Sequence, residues 1–175
     1  MNTNQAVRSD CYRRGQLWTR YEGNTETVVN LATSEMLRIT LGEWHLELPP
    51  NGYAAIGSDF FELSGLWNGK RVDLVFSPKY VYVDGRGAPL ETDKIALKNS
   101  AVILREAGKI WLIPIDEHEK ISVRLNAFGL DENVKVVGCD QDSQLIPSRV
   151  DYEISHDWLT ITCDENFFKY KILKQ

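Results

Sequence analysis

Trp44-His45-Leu46-Glu47-Leu48-Pro49-Pro50-Asn51-Gly52-Tyr53-Ala54-Ala55-Ile56 is the stretch that decides the fold class. In an extended chain Trp44, Leu46 and Leu48 fall on one side and His45 and Glu47 on the other, which is how a half-buried strand distributes its side chains. Two prolines then remove consecutive N–H donors and Asn51-Gly52 accommodates a turn, so the ladder stops at Pro49 and restarts at Tyr53. The same two-residue period recurs on both sides of this stretch, and a sustained helical period is missing.

Upstream, Leu17 to Tyr21 leads through Gly23-Asn24 into the β-branched run Thr27 to Leu31, and Met36 to Thr40 faces Trp44 to Leu48 across Gly42 as a hairpin. Downstream, Phe60 to Trp67 and Arg71 to Phe76 flank Asn68-Gly69, the strongest two-residue hairpin signal in the chain. Lys79 to Val83 runs into the turn Asp84-Gly85-Arg86-Gly87. Residues 88 to 99 read as a loop around a short Ile95-Ala96-Leu97 piece, and Ala101 to Arg105 joins Lys109 to Ile113 through Ala107-Gly108. After the acidic turn Asp116-Glu117-His118-Glu119 come strands at Ile121 to Leu125, Val134 to Val137, Val150 to Ile154, Trp158 to Thr162 and Phe167 to Ile172. The expectation is an all-β chain of two antiparallel β-sandwich modules in tandem, residues 1–115 and a smaller immunoglobulin-like module of residues 116–175. The order strand, turn, aromatic-led strand in Trp44 to Ile56 returns in Leu159 to Ile172, which reads as a repeated closing hairpin.

Composition narrows the partners. A 175-residue chain that is 43% hydrophobic has material for one large core or two small ones. A formal charge of -5 and scattered basic residues, the densest pair being Arg13-Arg14, offer no field to collect a nucleic-acid backbone. No apolar run is long enough to span a bilayer, and the first ten residues lack the basic and apolar blocks of a secretory signal. The chain is therefore expected to be soluble, cytoplasmic as it stands, or periplasmic or extracellular if cut from a secreted parent. Cys11, Cys139 and Cys163 are too few for a disulfide scaffold and lack zinc spacing; they read as small buried hydrophobes, although Cys139 and Cys163 could meet on neighbouring strands.

Chemistry-bearing motifs are absent: there is no nucleophile elbow, phosphate-binding glycine loop or dinucleotide fingerprint. His45, His118 and His156 are isolated and read as surface residues. The many carboxylates, among them Asp59, Glu62, Asp73, Asp84 and the acidic turn, read as solvated surface, with no catalytic residue, metal ligand or cofactor site assigned. Among the aromatics, Trp44, Trp111 and Trp158 read as core. Trp67 abuts a turn, and Tyr80 and Tyr82 share a strand face leading to Asp84 and Arg86; these five (Trp67, Tyr80, Tyr82, Asp84 and Arg86) form the candidate carbohydrate-binding set, since an exposed ring stacks on a sugar's C–H face.

Trp44 through Ile56, Gly69-Lys70-Arg71-Val72-Asp73, Ser77-Pro78-Lys79-Tyr80 and Asp84-Gly85-Arg86-Gly87 together resemble the C-terminal β-sandwich regions of bacterial glycoside hydrolases and related polysaccharide-degrading proteins. Ile121 to Ile172 is similar to the immunoglobulin-like modules that close such chains. The resemblance implies a non-catalytic accessory or carbohydrate-binding region, partnered by a polysaccharide or oligosaccharide and by a catalytic domain of the same parent. Two alternatives follow it in order: a small all-β hydrolase or lyase whose acids meet around Asp59, Glu62 and Asp84, and a protein-interaction module.

Overall fold

The computed structural model describes residues 15–106, 108–116 and 119–175. The chain divides into two compact units, Met1–Pro78 and Lys79–Gln175. Both are all-β, as the alternation requires, and the described residues contain no helix long and apolar enough to cross a membrane.

The first unit holds β1 (Gln16–Arg20), β2 (Glu26–Asn30), β3 (Leu37–Leu41), β4 (Trp44–Leu48), β5 (Gly52–Ile56), β6 (Phe61–Trp67) and β7 (Lys70–Phe76). Strands run in the order β1-β2-β5-β6-β7, every pair antiparallel, and the β3–β4 hairpin joins through Glu47 opposite Leu66 on β6. Asn68 and Gly69 both take positive φ, 51° and 76°, so the two-residue turn twists with the strands it joins. Val28, Leu46, Leu48, Leu63, Val72 and Leu74 are buried at the alternating positions.

Asn30 and Ser64 are buried polar residues of this unit, and Asn30 is the deeper of the two. Its amide donates to the carbonyls of Leu48 at 2.7 Å and Glu35 at 2.8 Å, and its oxygen accepts the N–H of Ala32 at 3.2 Å. One side chain thus satisfies the end of β4 and the irregular 31–36 connection, which no ladder reaches.

The second unit contains β8 (Tyr80–Asp84), β9 (Leu90–Glu91), β10 (Ile95–Leu97), β11 (Ser100–Glu106), β12 (Lys109–Pro114), β13 (Lys120–Arg124), a 3-10 turn at Asn126–Phe128, β14 (Val134–Cys139), β15 (Tyr152–Ser155), β16 (Trp158–Thr162) and β17 (Lys169–Lys174). Five of these strands pair in the order β8-β11-β12-β17-β14 and five in the order β15-β16-β13-β10-β9. The inward residues are apolar on both sheets: Val81, Val83, Ile103, Leu112, Val136 and Ile172 on the first, Ile95, Leu97, Ile121, Val123, Leu159 and Ile161 on the second. That is the composition of a sandwich core.

The boundary expected between residues 115 and 116 falls inside this second unit, between β12 and β13. Pairings cross it, since β10 binds β13 and β12 binds β17. β12 belongs to the first of these sheets and β13 to the second. The two closing hairpins read from sequence are not hairpins. β4 pairs with β3 and β6 while β5 pairs with β2 and β6, and β16 and β17 belong to opposite sheets. A turn between two alternating segments fixes neither the partner nor the sheet; long-range packing does.

Candidate functional site

On β8 the two-residue period separates buried Val81 and Val83 from Tyr80, Tyr82 and Asp84, which face outward. Tyr80 is 37% exposed and Tyr82 is half-buried. The antiparallel register carries this face across the sheet. Tyr80 lies opposite Leu104, Leu104 opposite Trp111, Trp111 opposite Lys171 and Lys171 opposite Val137, one row over β8, β11, β12, β17 and β14. A second row runs from Tyr82 to Val102 to Ile113. None of these outward residues is fully buried, so the sheet presents an apolar strip bearing aromatic rings at both ends of a two-strand step. Two strand spacings are roughly 10 Å, comparable to the reach of two linked pyranose rings.

Trp111 was expected in the core and is instead half-exposed on this face, with its neighbours Ile110 and Leu112 turned inward. Trp44 and Trp158, expected in the core as well, are also half-exposed. Trp158 lies under the Arg124 guanidinium, 4.7 Å from ring centre to carbon. Side chains this large rarely vanish wholly into a thin core, and the guanidinium stem covers the rest.

Asp84 and Arg86 are brought together by the turn. The Asp84 carboxylate accepts the backbone N–H of Arg86 at 2.7 Å, an Asx turn that lets Arg86 hold φ 51°. Gly85 between them donates its N–H to the Asn99 carbonyl at 2.7 Å. A Cβ there would lie 2.5 Å from the Lys98 oxygen, so only glycine permits this approach. The 98–99 turn is itself held from below by Glu119, whose buried carboxylate accepts the N–H groups of Lys98 and Asn99. Tyr80, Tyr82, Asp84 and Arg86 therefore lie along one strand and the turn that follows it.

Trp67 belongs to the first unit. There it forms the end of an aromatic series, its ring centre 5.9 Å from Trp44, which stacks on Phe61 at 4.4 Å. This contact half-buries it.

In the second unit a cavity of about 390 Å³ is lined by Asp116, Asp140, Asp164 and Glu165 with Cys163 and Phe167. Asp140 and Asp164 are occupied by their own turns, accepting the N–H groups of Gln144 and Asn166, each at 2.8 Å. Glu62 accepts the Tyr53 hydroxyl at 2.7 Å. Among the described residues no group of three His, Cys, Asp or Glu side chains is arranged to hold a metal ion. His45 contacts Thr40 Oγ1 and His156 contacts Ser155 Oγ, both on exposed turns or strands. His118 and Cys11 lie outside the described residues.

Cys139 and Cys163 are buried and free, in keeping with their reading as small core residues. Burial pushes the Cys163 thiol up to about 12, with the nearby Glu119 carboxylate adding to the effect. The Tyr170 hydroxyl, which accepts the Asp164 N–H at 2.7 Å, is likewise raised by burial to about 12. Both groups are held neutral, as parts of a core are. Comparison with protein-family models, with curated proteins and with solved structures finds no match to the chain.

Proposed function

We propose that this chain is a non-catalytic accessory region of a polysaccharide-degrading protein, and that it binds carbohydrate on the outward face of β8, β11 and β12. The observation that supports this reading is the continuous row Tyr80, Leu104, Trp111, with Tyr82 beside it. Flat strands hold the rings at fixed spacing, so stacking on a sugar chain costs little side-chain ordering. Asp84 and Arg86 at the end of the same strand supply polar groups for hydroxyls at the rim. The likeness to accessory sandwiches of glycoside hydrolases points the same way, and a catalytic domain of the same parent is the natural neighbour.

Affinity electrophoresis of the chain through gels containing single polysaccharides tests the reading. At least one gel retards the protein, and Trp111→Ala weakens that retardation about tenfold, the loss of one stacked ring. Equal mobility in every gel would overturn it.

A further inference from the structure

The charges beside Trp111 on β12, β17 and β14 are all lysines, and one acidic neighbour, Glu106 of β11, faces Lys109 across the sheet. On the three strands at that end of the sheet the outward positions are Lys109, Trp111 and Ile113 of β12, Lys169, Lys171 and Leu173 of β17, and Lys135 and Val137 of β14. Four lysines thus share a face with no acidic side chain among the outward positions of these strands, in a chain whose formal charge is -5. Two of them converge on the indole: Lys169 Nζ is 5.2 Å and Lys171 Nζ 5.6 Å from the centre of the Trp111 ring. Lys169 also donates to the Gln141 carbonyl at 3.0 Å, which fixes its direction. Asp140, which follows β14, has one oxygen engaged by the Gln144 N–H.

Gathering like charges on one sheet face costs repulsion, and the facing Glu106 relieves it at Lys109 but not at Lys135, Lys169 and Lys171. A ligand carrying regular negative charge removes that repulsion and gains charge-assisted hydrogen bonds. Resting on the carbohydrate reading above, we infer that the ligand is an acidic polysaccharide, its sugar rings lying along Tyr80, Leu104 and Trp111 and its carboxylate or sulfate groups meeting Lys169, Lys171, Lys135 and Lys109. Nucleic acid shares the charge but fits less well. The overall field repels it, and this face carries no arginine fork for phosphate.

The test uses the full chain in affinity gels of polygalacturonate, dextran sulfate and neutral hydroxyethylcellulose, with a single-stranded oligonucleotide in a parallel mobility-shift titration. Binding to polygalacturonate or dextran sulfate exceeds binding to the neutral polymer about tenfold or more and weakens as NaCl is raised from low to near-molar concentration. Lys169→Gln with Lys171→Gln lowers acidic-polymer binding about tenfold, at an unchanged melting temperature, while Lys120→Gln on the opposite sheet changes nothing. Retention by hydroxyethylcellulose equal to that by the acidic polymers, or indifference to the double substitution, overturns this inference and leaves carbohydrate binding standing. Oligonucleotide binding as tight as that of polygalacturonate overturns it in favour of nucleic acid. No retention by any polysaccharide sinks both.

Discussion

The Glu119 carboxylate accepts the backbone N–H of Asn99 at 2.7 Å from a position 20 residues away in sequence, and the same oxygen takes the N–H of Lys98. Its second oxygen is buried and has no hydrogen-bond partner among the described residues. One carboxylate therefore closes the turn between β10 and β11, on which the Gly85 turn of the proposed site rests, at the cost of stranding half of itself.

Glu119→Gln keeps an acceptor for both N–H groups and removes the stranded anionic oxygen, so its stability stays within about 1 kcal/mol of the parent. Glu119→Ala leaves two inward N–H groups unmade and costs about 2–4 kcal/mol. Urea midpoints at constant m-value measure the difference. An alanine variant as stable as the glutamine variant would show that the contact contributes nothing.

Alkaline stability follows from two buried neutral groups in the second unit, Cys163 and Tyr170. The Cys163 thiol is raised from 9.0 to about 12 and the Tyr170 hydroxyl from 10.0 to about 12, both chiefly by burial. The unfolded chain releases these protons first, so it binds fewer protons than the folded chain across that interval. Their contribution is complete below about pH 9 and is lost progressively as pH rises toward 12, with a slope of up to about 1.4 kcal/mol per pH unit for each group. Chemical denaturation at pH 8, 9, 10 and 11 shows the decline, and Cys163→Ala flattens its onset between pH 9 and 10. A parent and variant with parallel profiles would contradict this.

Asn30→Ala tests the buried Asn30 amide of the first unit. The substitution leaves the carbonyls of Leu48 and Glu35 without their donor inside the protein, a loss of about 2–4 kcal/mol. Asn30→Asp costs at least as much, because a carboxylate brings no donor to either carbonyl. Thermal and urea unfolding measure both; an aspartate variant matching the parent at neutral pH would refute the donor role.

The parts of this fold that were legible in the sequence are those set by neighbours in the chain. Asn68-Gly69 specifies its hairpin because both residues adopt positive φ cheaply, and Tyr80 and Tyr82 face outward because Val81 and Val83 between them must be buried. Trp111 escaped the same logic. Ile110-Trp111-Leu112-Ile113 is apolar at both parities, so within it alternation cannot tell the core face from the outer one, and Lys109 at the strand's start is the lone hint from parity. The cross-strand partner, Lys171, distinguishes them. Glu119 was hidden for a related reason: an acidic run reads as solvated until two N–H groups from a distant turn are brought to it. The partners of β16 and β17 were equally out of reach, since a turn of Asp and Asn permits a change of sheet as readily as a return.

Gly85 links these layers, and its substitution discriminates between a turn that merely follows β8 and one that the site requires. A Cβ at this position would meet the carbonyl oxygens of Lys98 at 2.5 Å and Ala88 at 2.6 Å, both backbone atoms, so no side-chain rotation relieves the overlap. Gly85→Ala must push the 84–87 turn away from the 98–99 turn, breaking the Gly85 to Asn99 hydrogen bond of 2.7 Å, and costs about 1–3 kcal/mol or more. Gly87 offers the internal control. It has positive φ of 80° but open space around the missing Cβ, so Gly87→Asn, which tolerates the left-handed region, costs less than about 1 kcal/mol. If the candidate strand end binds sugar, Gly85→Ala also weakens retention in the gel that retards the parent, measured well below the variant's melting temperature, whereas Gly87→Asn leaves it intact. Equal stability of the two variants would show that the turn yields where the packing says it is fixed.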